Sequence, residues 1–383
     1  MTPDMTLTQT LVIALLQAIA VILLIFIIVP LTIFAERKVL GFLQQRLGAT
    51  RVAGGHVGIT GFMNKRMWGM GKLPFLSYWR GIPMLVADVL KLFIKEDIVP
   101  TKADKWVFLF SPALSMIAAI TVFAAVSFYP GALFHFPKAF PLIGGLPFNG
   151  VLADVNAGLL LILGIASVGV YGIVLGGWAS NSKYPLLGGL RSAAQIVSYE
   201  VPLTLSLLAP VVLAGTLNFN DLTRRLATEL PIWAVLPMIV GFLIYLTCGF
   251  AECNRVPFDM PEAETELVAG FHTEYAGIRF ALFYLAEYIN MMVAAAIASA
   301  FFLGGPFLAP FGLHKFLVGV PFLGAPNALF MVAKVIFVLF VFIWVRGTIP
   351  RYRYDQIMAV GWKYLIPLTL VNLLAAAAIR FAC

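Results

Sequence analysis

The chain has 383 residues, of which 61% are apolar and only 11% charged, and its formal net charge is +8. Soluble domains carry about a quarter of their residues as charges, so this composition excludes an ordinary soluble fold. The chain reads as one solvated by lipid.

Apolar runs of roughly 20 residues, enough to cross about 30 Å of hydrocarbon, recur along it. Eight are expected: 8–34, 107–128, 151–178, 193–214, 231–251, 279–303, 328–346 and 359–381. Backbone polar groups in lipid must be satisfied within the segment, so the spans are predicted helices, and the fold is an all-α polytopic membrane protein. A single transmembrane domain, 1–383, follows. The first run lacks a basic lead and a small-residue cleavage site, which marks it as a span rather than a cleaved signal.

The largest connection, 35–106, has two parts. Residues 48–74 are rich in Gly, Lys and Arg and read as an extended loop. Their glycine pairs are no phosphate cradle, since neither strand-to-helix context nor GK[ST] follows. Residues 82–97, IPMLVADVLKLFIKED, predict an amphipathic interfacial helix with Leu85, Val86, Val89, Leu90 and Phe93 on one side. Asp88, Lys91 and Lys95 take the other side. Further on, FPKAFPLIGGLPFNG (136–150) and LGGPFLAPFGLHKFLVGVPFLGAPN (303–327) are Pro- and Gly-rich turns.

The basic residues are sorted by side. Connections 35–106, 179–192, 252–278 and 347–358, with Arg279 and Arg346, hold 19 of the 26 Lys and Arg. The other side has Lys138, Arg224, Arg225, Lys315 and Arg380. Basic loops stay in the cytoplasm, so both termini are expected outside, which requires an even number of spans. The excess charge is therefore topology, not a nucleic-acid surface.

The acids are sorted too. AECNRVPFDMPEAETELVAGFHTEY (251–275) holds Glu252, Asp259, Glu262, Glu264, Glu266 and Glu274, six of the chain's 18 carboxylates. Asp259-Met260-Pro261-Glu262 resembles a helix start, with Gly270 as its left-handed close. That accounts for Glu262 and Glu264 but not for Glu266, which lies beyond the reach of the helix dipole. Glu200 and Glu287 fall inside or near the ends of predicted spans, where a charge costs at least about 2.5–3.5 kcal/mol. They are expected to pair structurally with Arg191 or Arg279, or to exchange protons.

Carboxylates crowded in low dielectric share protons, and a row leading from a surface into a membrane has the properties of a proton relay. Glu252, Glu262, Glu264, Glu266 and Glu274 would form its mouth, and Glu200 and Glu287 its deeper steps. A metal site built on His272 is the weaker reading, because the carboxylates around it have no ligand spacing. Cys248, Cys253 and Cys383 are too few for a zinc or iron–sulfur site and read as inert thiols.

Four segments, AERKVLGFLQQRLG (35–48), ADVLKLFIKEDIVPTKADK (87–105), GWASNSKYPLLGGLRSAAQIVSYE (177–200) and the acidic stretch, resemble one family. It is the H-type membrane subunit that bounds the quinone chamber of respiratory complex I, the proton-pumping NADH:quinone oxidoreductase. The likeness spans almost the whole chain, in family order. It implies an eight-helix subunit of the bacterial cytoplasmic membrane, in contact with lipid. Its neighbours would be the hydrophilic subunits of the quinone site and terminal cluster, and small membrane subunits. Quinone would be the substrate, with flavin and iron–sulfur clusters confined to partner chains.

By motif, Glu36, Arg37, Arg46, Asp88, Val256, Pro257, Phe258 and Asp259 would border the quinone tunnel. Glu200, Glu252, Glu262, Glu264, Glu266, Glu274 and Glu287 would carry the proton path, supported by Arg191, Arg255 and Arg279. The chain departs from the family after RLG, reading ATRVAGG and then a long stretch that includes KRMWGMGKLPFLSYWR (65–80). That basic, aromatic segment is expected to contact a partner subunit or lipid headgroups. A homologous subunit of a membrane-bound hydrogenase or of another donor dehydrogenase is the alternative, and a stand-alone ion-coupled transporter a more distant one.

Overall fold

A computed structural model describes residues 7–46, 82–135, 147–150, 152, 154–260, 268–309 and 325–382. Glu262, Glu264, Glu266, the helix expected to start at Pro261, and the 48–74 and 65–80 segments lie outside them.

Among the described residues, eight helices are long and apolar enough to cross a membrane. They are α1 (Leu7–Leu43), α3 (Lys105–Ala125), α4 (Gly158–Ala179), α5 (Lys183–Ala214), α7 (Val235–Glu252), α8 (Gly277–Phe301), α9 (Ala328–Thr348) and α10 (Tyr354–Ala382). The chain is a polytopic helical membrane protein. Two shorter α-helices, α2 (Ile82–Ile94) and α6 (Phe219–Thr228), also lie among the described residues. A two-stranded antiparallel ribbon, β1 (Ala132–His135) with β2 (Pro147–Asn149), pairs Ala132 with Asn149.

The eight spans match the expected runs, but several ends move. α1 continues to Leu43, which makes it 37 residues and about 55 Å long. Glu36 and Arg37 therefore sit on a rigid helix, not in a loop. α5 begins at Lys183, ten residues before its apolar run, and α10 begins at Tyr354. α6 is not among the expected elements; Asn218 caps it by accepting from the amides of Asn220 (2.9 Å) and Asp221 (3.1 Å).

Close helix contacts follow from small residues, since lipid gives no hydrophobic drive for helices to associate. α3 and α4 cross at Gly172, where an added Cβ would stand 2.1 Å from Ser115 Oγ and 2.8 Å from its amide nitrogen. Ser111 Oγ donates to Gly172 O and Ser115 Oγ to Gly169 O (3.1 Å), fixing the crossing. At Gly188 on α5, an added Cβ would lie 2.7 Å from the Phe271 nitrogen, so only glycine lets the 270–272 turn reach the helix. From there α5 packs on α4, α7 and α10, α8 on α3 and α9, and α1 leans against α9 and α8. Tyr199, Leu207, Ile289 and Met292 lie in the shared core.

Lys334, inside α9, donates to the carbonyls of Leu303, Gly305 (3.1 Å) and Phe307 just beyond α8. It ties the end of α8 to its neighbour. α2 packs on α8 and α1, and leaves Val86, Val89, Leu90, Phe93 and Ile94 exposed. Its polar side is not all turned to solvent, because Asp88 reaches across to Arg37 on α1 at 2.7 Å.

Candidate functional site

The acidic stretch leaves α7 at Glu252 and turns sharply. Asn254 adopts a left-handed φ of 50°, a conformation in which Asn is several-fold enriched. Gln195 on α5 holds the turn from below. Its Nε2 donates to Ala251 O (2.7 Å), Phe258 O (2.6 Å) and Asn254 Oδ1 (3.3 Å). The Phe258 ring packs on Tyr199 and Tyr352, with centroids 5.3 and 5.7 Å away. Tyr352 donates its amide to Pro257 O at 3.2 Å. The 251–260 segment is thereby clamped between α5 and the start of α10.

That clamp buries two charges. Asp259 accepts from Arg351 at 2.8 Å through Oδ2, while Oδ1 has no hydrogen-bond partner among the described residues. Burial pushes its carboxyl above the usual range, and Arg351, Arg346 and Arg255 pull it back in part. Arg255 is 5% exposed. Its Nε meets Glu287 Oε1 at 2.6 Å and its Nη1 meets Glu36 Oε2 at 3.6 Å. The guanidinium also lies 4.2 Å from the Tyr288 ring centroid. Burial opposes its charge, but Glu287, Tyr288 and Glu36 outweigh burial and hold it protonated.

Glu36 is the hub of this network. It takes Arg346 from α9, Arg255 from the turn and the Tyr288 hydroxyl from α8 at 2.8 Å. Tyr288 in turn shares a hydrogen bond with Tyr284 at 3.1 Å. One unbroken set of contacts therefore links α1, α8, α9 and the 253–260 turn.

Beyond Glu287 the network opens into a cavity of about 60 Å³. A water needs about 10–15 Å³, so there is room for a few. Glu200 from α5, Glu252 from α7 and Glu287 from α8 all line it, with Ser115, Ser167, Asn254, His272, Tyr284 and Asn290. Ser167 donates to Glu200. Burial holds His272 down to about 4, so its imidazole is neutral at ordinary pH and can accept a proton only against desolvation. The same cause pushes the Tyr275 hydroxyl and the Cys253 thiol up, which keeps both protonated. Cys248 and Cys253 are free and buried.

Three of the predicted acids thus meet, as do Glu36 and the Arg255–Asp259 stretch. Others do not. Glu274 is partly exposed and lies off the cavity, Arg37 pairs with Asp88 at the α1–α2 contact, and Arg46 bonds to Gln44. The expected partners of the deep acids also change. Nine helical residues, about 13 Å, separate Arg191 from Glu200, too far to pair. Arg279 pairs with Asp97 at 2.9 Å, and Glu287 with Arg255. Gln195, Tyr284, Tyr288, Arg346 and Arg351 are not among the residues the sequence singles out for the site. Their only sequence signal is polar atoms in or beside apolar runs. Among the described residues, no group of three or more His, Cys, Asp or Glu could hold a metal ion.

A family model described as NADH dehydrogenase matches residues 16–377. The first of the H-type subunits of NADH-quinone oxidoreductase from Geobacter metallireducens is 43% identical over 359 residues, covering 92% of each chain. The second of the H-type subunits from Koribacter versatilis is 42% identical over 377 residues, 96% of each. The corresponding NADH-quinone oxidoreductase chain of Paramagnetospirillum magneticum is 41% identical over 372 residues, 97% of this chain and 93% of that one.

Proposed function

The chain belongs to the NADH dehydrogenase family and is a membrane subunit of an NADH:quinone oxidoreductase, and on that premise we propose that it couples quinone reduction to proton movement. The observation that carries this reading is the meeting of Glu200, Glu252 and Glu287, from three separate helices, in one cavity. Their separation in sequence makes packing accident a poor explanation. Each carries the cost of a charge, or of a bound proton, in oil.

In this reading quinone reaches the 256–259 turn from the bilayer, past Arg37, Asp88 and the exposed apolar side of α2. Partner subunits supply the electrons through their flavin and iron–sulfur clusters. Reduction changes the charge beside Asp259. Arg351, Arg346 and Arg255 then redistribute among Asp259, Glu36 and Glu287, and the proton occupancy of the cavity acids follows. Glu262, Glu264, Glu266 and Glu274 supply the approach from the aqueous side, and water in the cavity carries protons between Glu252, Glu287 and Glu200. The seat of this activity is the bacterial cytoplasmic membrane, with both termini outside and the acidic turn within.

The test replaces Glu200 or Glu252 by Gln in the assembled complex and measures NADH-driven quinone reduction together with proton release into vesicles. The expected result is slowed or uncoupled turnover; normal turnover with a normal proton yield would remove the relay from the account.

A further inference from the structure

On the face opposite the acidic turn, two arginines converge where the charge-poor side of the chain has little reason to hold them. Arg225 on α6 and the exposed Arg380 at the end of α10 line a partly open pocket of about 50 Å³, together with Leu213, Leu226 and Ile379. Arg225 spends one donor on Ala214 O, at 3.1 Å, and so caps the last turn of α5. Arg380 makes no hydrogen bond or ion pair among the described residues, although its Nη2 comes within 3.6 Å of the space beside Gly215. Glu229 is the one acid lining the pocket, which leaves a net positive charge.

The pocket lies where α5 and α10 both end, at the boundary between hydrocarbon and water. Around it the surface is apolar and open. Leu374 on α10 is 70% exposed, Leu236 on α7 is 71% exposed, and Trp233, just ahead of α7, is 77% exposed. Tryptophan favours the headgroup level, and guanidinium forks match phosphate oxygens in pairs. The volume suits a headgroup phosphate but not an acyl chain.

We propose that Arg225 and Arg380 seat the phosphate of one anionic phospholipid, whose acyl chains lie along the exposed apolar sides of α10 and α7. The remaining positive charge selects a headgroup without a cation of its own. The lipid joins the end of α10 to those of α5 and α6, which the Arg225–Ala214 hydrogen bond already ties to each other.

The experiment delipidates the detergent-purified complex carrying the wild-type chain or Arg380→Gln. Phosphatidylglycerol, phosphatidylcholine or inorganic phosphate is added back, and retained lipid and the unfolding temperature are measured. Arg380 makes no hydrogen bond or ion pair among the described residues, so the two lipid-free forms should melt alike. Wild type should retain one phosphatidylglycerol that the variant binds on the order of tenfold more weakly, the loss of one charge-assisted contact. Only wild type should gain thermal stability from it. Equal retention and equal stabilisation in both forms would overturn the proposal, as would stabilisation by inorganic phosphate alone or by phosphatidylcholine to the same extent.

Discussion

Protonating His272 should weaken the fold measurably, and the size of the effect follows from its burial. The imidazole drops from 6.5 to about 4, and each unit is worth about 1.4 kcal/mol, so the full linkage is about 3 kcal/mol. The folded value lies below the unfolded one, so the unfolded chain binds the extra proton between them. Stability is therefore intact above pH 6.5 and lost as pH falls towards 4. Between pH 7 and 5 the loss amounts to about 2 kcal/mol. Glu200, Glu252 and Glu287 line the same cavity and would favour the charged imidazole if ionised, yet burial prevails. Thermal unfolding of the solubilised complex at pH 7, 6 and 5 should show the wild type losing more than His272→Asn by this amount. Nitrogen NMR of labelled histidine should show a neutral ring at pH 5. Parallel melting profiles, or an imidazolium signal at pH 5 from this residue, would refute the reasoning.

Gly172→Ala should destabilise the α3–α4 crossing by about 1–3 kcal/mol, the range for overpacking, and lower the amount of assembled complex in membranes. A Ser115→Ala partner change should recover only part, because the Ser115 amide nitrogen still stands 2.8 Å from the new methyl. Lys334→Met should leave the Leu303, Gly305 and Phe307 carbonyls without their donor, at about 1–3 kcal/mol each, and lower the unfolding temperature of the complex. Arg351→Leu should leave Asp259 buried beside weaker positive charge, raise the pH at which it ionises and slow quinone reduction at neutral pH; a pH–rate profile that does not move would contradict that link.

How much of this can be read from residues alone depends on whether a signal is local. The spans are local, since a run of oil announces a helix in lipid. Their ends are less so. Glu36-Arg37-Lys38 and the Lys183–Arg191 stretch look like loops by charge, but α1 continues because Arg346, Arg255 and Tyr288 meet Glu36, and α5 because Gly188 lets the 270–272 turn pack closely on it. α6 is hidden between two apolar runs, although Asn218 and Asp221 mark its start. Glu200 and Glu287 stand out as acids in oil. The arginine that meets Glu287 comes from across space rather than from nearby in sequence: Arg255 sits in a turn whose path depends on Gln195, 60 residues earlier. Lys334 gives little sequence signal, because one lysine does not interrupt a long apolar run.

The most direct measurement is the infrared difference spectrum of the complex on quinone reduction. The account predicts a carboxyl band, from side chains gaining or losing protons, that diminishes in Glu200→Gln, Glu252→Gln and Glu287→Gln. A spectrum identical in wild type and all three variants would contradict it.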